Sequence, residues 1–154
     1  MIITIEQRPS GSGAICHEIL TTIPDWFGMP ASNAEYEALA ETGPVLVAFE
    51  AGEPVGLMEL KRHFCATLEV YFLAVRRDHH RRGVGRALMT AAEAIARAEG
   101  LRFVMLKTQG PSAAYEPYER TRRFYESLDY VALEELDVGW GPENPTLIMA
   151  KAVR

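Results

Sequence analysis

The stretch from residue 67 to residue 108 constrains the fold of this chain more than any other. It opens with an apolar strand, "TLEVYFLAV" (67–75), and continues through the cationic loop "RRDHHRR" (76–82) into "GVGRALMTAAEAIARAEG" (83–100). A helix is expected over 83–99, because Val84, Leu88, Ala91, Ile95 and Ala98 recur at the three-to-four spacing that keeps one face apolar, and Gly100 is a natural stop. "LRFVMLKT" (101–108) then reads as a second strand. A strand, a helix and a strand in that order form a crossover, so the two strands are expected to be parallel.

The flanking segments read as antiparallel structure. Residues 2–7 alternate enough for an edge strand, residues 14–20 and 31–41 look helical, and 44–50 and 54–61 are strands around the Ala51-Gly52 turn. After the crossover come a helix from about 118 to 128 and two strands, 131–136 and 146–153, that close as a hairpin. The predicted order is β α α β β β α β α β β. With 154 residues, 48% of them hydrophobic, one domain spanning 1–154 is expected. No apolar run approaches the length of a bilayer span, and the start Met1-Ile2-Ile3-Thr4 lacks the pattern of a signal peptide, so a cytoplasmic protein without membrane association is expected. Cys16 and Cys65 read as two small buried thiols, and neither has metal-ligand spacing, so no metal is expected.

Charge is segregated along the chain. The formal net charge of −5 argues against a general nucleic-acid binder. Between Arg8 and Lys61 there is no Lys or Arg, while Glu18, Asp25, Glu35, Glu37, Glu41, Glu50, Glu53 and Glu59 fall there; Glu134, Glu135, Asp137 and Glu143 repeat the pattern near the end. Arg76, Arg77, Arg81, Arg82 and Arg86 instead crowd one loop with a single acid, Asp78. Opposite fields in one small protein suit two ligands of opposite sign.

The cationic loop has a chemical reading of its own. Gly83 and Gly85 permit a tight turn at a helix start and leave the first N–H groups uncovered, where the helix dipole favours an anion by roughly 0.3–1 kcal/mol. An extended diphosphate fits such a seat. A dinucleotide fingerprint would need a third glycine where Leu88 stands, and the Gly-Lys-Ser/Thr of a triphosphate loop is absent.

With the strand before it and a second element after it, this loop resembles the phosphate loop of the GNAT superfamily of acyl-CoA-dependent N-acyltransferases. The family pattern Arg/Gln-x-x-Gly-x-Gly/Ala, after an apolar strand, matches "LEVYFLAV" followed by "RRDHHRRGVGRALM", and "TRRFYESLDYVALEEL" (121–136) matches a second element of the form a-x-x-F-Y-x-x-x-G-F. Two departures stand out: His80 replaces the usual Arg or Gln, and Asp129 replaces a Gly in the turn after the helix, a substitution Asp tolerates better than most residues. The resemblance implies an α/β (α+β) fold, with a mixed, mostly antiparallel sheet of about seven strands, a central parallel pair that splays apart, and about four flanking helices.

The same resemblance implies an N-acetyltransferase that moves an acetyl group from acetyl-CoA to a primary amine by direct attack in a ternary complex. It implies cofactor contacts from the backbone of Leu73, Ala74 and Val75 to the pantetheine arm, and from His80, Arg81, Arg82, Gly83, Val84, Gly85 and Arg86 to the diphosphate. Glu69 is the candidate proton acceptor, and Tyr125 the acid beside the departing sulfur. His63, His79 and His80 read as surface or loop imidazoles, and Trp26, Phe27 and Trp140 as either core or acceptor-pocket aromatics. Segments without Lys or Arg would wall the acceptor site, so a cationic acceptor is expected: a polyamine, an aminosugar, an amino-acid amine or a protein amine. The alternatives are a non-catalytic acyl-CoA sensor and a transferase acting on charged transfer RNA, the latter disfavoured by the acidic walls. A homodimer is a family-level expectation only.

Overall fold

In the computed structural model, which describes residues 1–154, the elements run β1 (Ile3–Arg8), α1 (Gly13–Thr21), α2 (Pro30–Thr42), β2 (Val45–Glu50), β3 (Glu53–His63), β4 (Thr67–Val75), α3 (Val84–Ala98), β5 (Phe103–Gln109), α4 (Glu116–Ser127), β6 (Val131–Leu136) and β7 (Thr146–Ala152). A short 3-10 turn at Arg77–His79 is the only element not anticipated. The strands form a seven-stranded sheet in the order β1-β2-β3-β4-β5-β7-β6. β4 and β5 are parallel, as the crossover requires, and β7 runs antiparallel to both β5 and β6, which leaves β6 at the edge.

The chain forms two compact units, Met1–Lys61 with Tyr71–Ala94, and Arg62–Val70 with Ile95–Arg154. The core of the first gathers Cys16, Ile19, Leu20 and Ile23 from α1 and its exit, Ala40 of α2, Val45 and Val47 of β2, Leu57 of β3, and Phe72 and Ala74 of β4. No side chain of α1 caps its own N-terminus. Instead the Glu41 carboxylate, from the last turn of α2, accepts the Gly13 N–H at 3.1 Å. Ala51 (φ 51°) and Gly52 (φ 80°) make the tight turn between β2 and β3. On β3, Gly56 lies close against α3, since a Cβ there would lie 2.8 Å from Val84 Cγ1 and 3.0 Å from Leu88 Cδ1.

The apolar stripe of α3 departs from expectation. Val84 and Leu88 are buried as expected, but the stripe continues through Met89, Ala92 and Ala96, each at most 1% exposed, while Ala98 is exposed. Alanines at 87, 91, 92, 94, 96 and 98 leave the periodicity nearly degenerate, and the helix settles on the rotation that buries the larger Met89.

In the second unit Val104 and Leu106 of β5, Leu147 and Met149 of β7, and Tyr125, Leu128 and Tyr130 are buried. α4 ends with Asp129 at φ 71°; its N–H donates to Glu126 O at 3.0 Å, and the Tyr130 N–H donates to Tyr125 O at 3.1 Å. This pair of bonds is the left-handed helix stop that normally takes glycine, so Asp129 fills the role expected of it. The cysteine reading needs a correction: Cys16 is buried, but Cys65 is exposed in the turn between β3 and β4.

Candidate functional site

β4 positions most of the expected contacts. Its parallel pairing with β5 runs from Thr67–Phe103 to Val70–Leu106, and the strand itself continues to Val75. Just past the last pair its alternation slips: the rings of Tyr71 and Phe72 both lie against Tyr36, with centroids at 6.0 and 4.5 Å, although consecutive residues of a regular strand point to opposite faces. Leu73, Ala74 and Val75 follow this irregularity. The Val75 carbonyl already accepts a bond from His80 Nε2 at 2.8 Å. His80 is thus not a loose donor of the loop; it folds back on β4, with its ring edge against Trp26 at 5.3 Å.

The loop into α3 has the backbone that an anion seat needs. Arg81 (φ 61°) and Gly83 (φ 86°) are both left-handed, and a Cβ at Gly83 would meet no atom within 4 Å, so conformation rather than crowding selects glycine there. A left-handed non-glycine residue such as Arg81 costs about 1–2 kcal/mol, strain that concentrates where backbone N–H groups must be aimed. The first-turn N–H groups of Val84, Gly85 and Arg86 have no intrahelical acceptor.

Most of the neighbouring cations brace this loop. Arg77 donates to Thr22 O and Asp25, both at 2.8 Å; Arg76 reaches Asp78 at 3.2 Å; Arg82 reaches Glu50 at 3.3 Å. His79 bridges Glu50, at 2.6 Å, and Asp78, at 2.8 Å. The hydrogen bond from His79 is the main reason the Asp78 carboxyl sits below the ordinary carboxylate range, despite its exposure. Hence Asp25 and Glu50, acids of the Lys- and Arg-free segment, neutralise loop cations, a pairing that distance along the sequence concealed. Arg81 and Arg86 remain exposed.

Glu69, on β4, is buried at 2% exposure. His63 Nε2 lies 2.6 Å from one of its oxygens and Lys107 Nζ 3.7 Å from the other. The sequence placed His63 on the surface; it is half-exposed but tied to Glu69, because the β3–β4 turn folds it back six residues. Tyr125, on the last turn of α4, is 7% exposed, with its ring against Phe124 and Tyr130. Burial pushes its phenol above the ordinary range, with a smaller push from Tyr118, which holds it protonated.

One acid that sequence reasoning counted only as charge stands apart. Glu59, in the apolar strand segment "VGLMEL", shares the face of β3 with the core residue Leu57 and is 5% exposed. Its Oε1 is buried without a hydrogen-bond partner. Burial raises its pKa to about 7, with Glu35 pushing the same way and Lys61 opposing. A lone acid at a core-facing strand position was the available signal. Around it, Tyr71 donates to Glu35 at 2.8 Å, and the Lys61 ammonium sits 3.5 Å over the Tyr71 ring. The Tyr71 phenol is raised by burial and by Glu35. Trp26 and Phe27 are half-buried and pack against the same core, Phe27 edge-on to Phe72 at 5.2 Å.

The model of the GNAT acetyltransferase family matches residues 14–130. This chain belongs to the GNAT acetyltransferase family. Among solved structures, a protein of the GNAT family from Desulfovibrio desulfuricans superposes with a TM-score of 0.83 at 19% identity, covering 99% of this chain and 100% of that one. A GNAT enzyme from Elizabethkingia anophelis with acetyl-CoA bound gives 0.74 at 15% identity over 98% of each chain. The ribosomal-protein-S18-alanine N-acetyltransferase from Escherichia coli gives 0.75 at 18% identity over 99% of this chain and 94% of that one. At these identities the likeness carries the fold, and the family match carries acetyl transfer as a class. In this GNAT chain no three His, Cys, Asp or Glu side chains are placed to hold a metal, and no helix is long and apolar enough to cross a membrane.

Proposed function

We propose that residues 1–154 act as one acetyltransferase domain that transfers an acetyl group from acetyl-CoA to a primary amine of a cationic acceptor, by direct attack in a ternary complex. The observation that carries this reading is the β4-to-α3 loop, with left-handed Arg81 and Gly83 leading into an open first turn, in a chain of the GNAT family. In this reading the first-turn N–H groups of Val84, Gly85 and Arg86 hold the diphosphate, Arg81 and Arg82 support it, His80 braces the loop against β4 instead of donating to the anion, and the backbone of Leu73, Ala74 and Val75 pairs with the pantetheine arm. The acetyl-CoA found with the Elizabethkingia relative supports this donor.

At pH 7 an amine of ordinary pKa near 10 is neutral in about one part in a thousand, so a proton must leave before attack. Glu69, with His63 on one oxygen and Lys107 near the other, is the proposed acceptor of that proton. The amine nitrogen attacks the thioester carbonyl, the C–S bond breaks, the departing thiolate takes the phenol proton of Tyr125, and the second proton lost by the nitrogen as the amide forms restores the phenol while Glu69 returns the first to solvent. The phenol holds its proton at neutral pH and so has one to give.

The test is to incubate the protein with acetyl-CoA and a panel of amines and follow free thiol. Release that depends on the amine is expected, with N-acetylated product by mass. Binding of acetyl-CoA with no release on any amine would overturn the transfer reading in favour of a sensor.

A further inference from the structure

The acid proposed to take the acceptor's proton already has an amine beside it. Glu69 and Met105 are partners in the parallel pairing of β4 and β5, so their side chains share a face, and Lys107, two residues further along β5, shares it too. Lys107 is also the first residue of β5 beyond the last parallel pair, Val70–Leu106. Its Nζ lies 3.7 Å from Glu69 Oε2, while Oε1 is taken by His63 at 2.6 Å. At 3.7 Å the ammonium is held by charge and not by a hydrogen bond, and the Lys107 side chain is 44% exposed against 3% for Glu69. A flexible four-carbon stem thus carries a primary amine to the buried carboxylate without locking it there. The chain has two other lysines, and both lie over aromatic rings: Lys61 is 3.5 Å from the ring centre of Tyr71 and Lys151 5.7 Å from that of Tyr130.

We infer that Lys107 is itself an acceptor, so that the protein acetylates its own Lys107 side chain from acetyl-CoA. This rests on the acetyltransferase reading, in which the reacting nitrogen must come within reach of Glu69, and it names a lysine amine that folding has already put there. The Lys107 ammonium gives one proton to Glu69, and the Nζ lone pair forms the new C–N bond to the thioester carbonyl carbon. The C–S bond breaks, its electron pair leaves with the thiolate, and the thiolate takes the phenol proton of Tyr125. The second Nζ proton, lost as the amide forms, restores the phenol, and Glu69 returns the first to solvent. An amine tethered beside the base needs no second binding step, and proximity of this kind is worth orders of magnitude in rate. The product is a neutral amide, so Glu69 loses an ammonium neighbour when it forms.

The experiment incubates the full chain with acetyl-CoA and no added amine, and follows intact mass, peptide maps of the three lysines and free thiol together. One acetyl group per chain is expected, on Lys107, with thiol released in equal amount and a rate that does not change with protein concentration. Lys61 and Lys151 are expected to react at least about tenfold more slowly. Lys107→Arg keeps the cation but removes the nucleophile, and is expected to lose both the added mass and the amine-independent thiol. Glu69→Gln is expected to slow the modification by roughly 10²–10⁴. Calorimetric titration with acetyl-CoA shows that each variant is folded and still binds the donor. Acetylation of all three lysines alike, or of Lys107 at an unchanged rate in Glu69→Gln, would mean direct chemical reaction with the thioester and overturn the proposal. A rate that rises with protein concentration would overturn it too, since one copy would then be modifying another. Thiol release that depends on an added amine, with Lys107 unmodified, would refute self-acetylation and leave the transfer reading standing. Acetyl-Lys107 with no release on any added amine would uphold self-acetylation and refute transfer to a separate acceptor.

Discussion

Glu59→Gln should make the protein more stable at pH 8 and have little effect near pH 4.5, because the buried carboxylate is a liability only once ionised. Its pKa rises from 4.5 in the unfolded chain to about 7 in the fold, so the folded state holds the proton more tightly. Stability from this group is fully present below pH 4.5, declines between 4.5 and about 7, and is gone above that. At ~1.36 kcal/mol per pH unit of displacement the loss is about 3 kcal/mol. For a domain of this size each kcal/mol moves Tm by roughly 2–4 °C, so the wild-type protein should fall behind the variant by roughly 6–12 °C at pH 8. Thermal and urea unfolding of both proteins at half-unit steps from pH 4.5 to 8.5 measure this, and the difference between the two curves removes titrations common to both. If that difference is flat across the interval, Glu59 is not an uncompensated buried carboxylate.

Four further outcomes are expected. Tyr125→Phe should lower kcat by roughly 10²–10⁴ with little change in the KM for acetyl-CoA, read by steady-state thiol release. Glu69→Gln should lower kcat by a similar factor and alter the pH–rate profile, and His63→Gln should alter the same profile to a smaller extent; an unchanged profile in Glu69→Gln would assign the proton elsewhere. Gly83→Ala places a side chain at φ 86°, a cost of about 1–2 kcal/mol concentrated in the anion seat, and should raise the KM for acetyl-CoA more than it lowers kcat. Gly56→Ala forces a Cβ to 2.8 Å from Val84 and should cost about 1–3 kcal/mol of stability in urea unfolding.

Local order was readable where local physics dominates. The crossover, the Ala51-Gly52 turn, the left-handed stop at Asp129 and the glycine that opens α3 each depend on residues adjacent in sequence, and β4 and β6 have the expected ends. The face of α3 was not readable, because its many alanines leave the rotation to be chosen by what the sheet offers Met89 and Ala92. The exposed Cys65 was missed for the complementary reason, since a turn residue has no periodicity to report its burial.

The site divides in the same way. The sequence by itself determined the backbone proposed as the anion seat, because left-handed glycine and open helix N–H groups are properties of one short segment. Only the tertiary structure decided the charges, since a Coulomb interaction depends on distance in space and not along the chain. Folding spent Asp25 and Glu50 on the loop arginines and set His63 on Glu69. It also left Glu59, one acid among many in the sequence, as the buried carboxylate with an unpartnered oxygen.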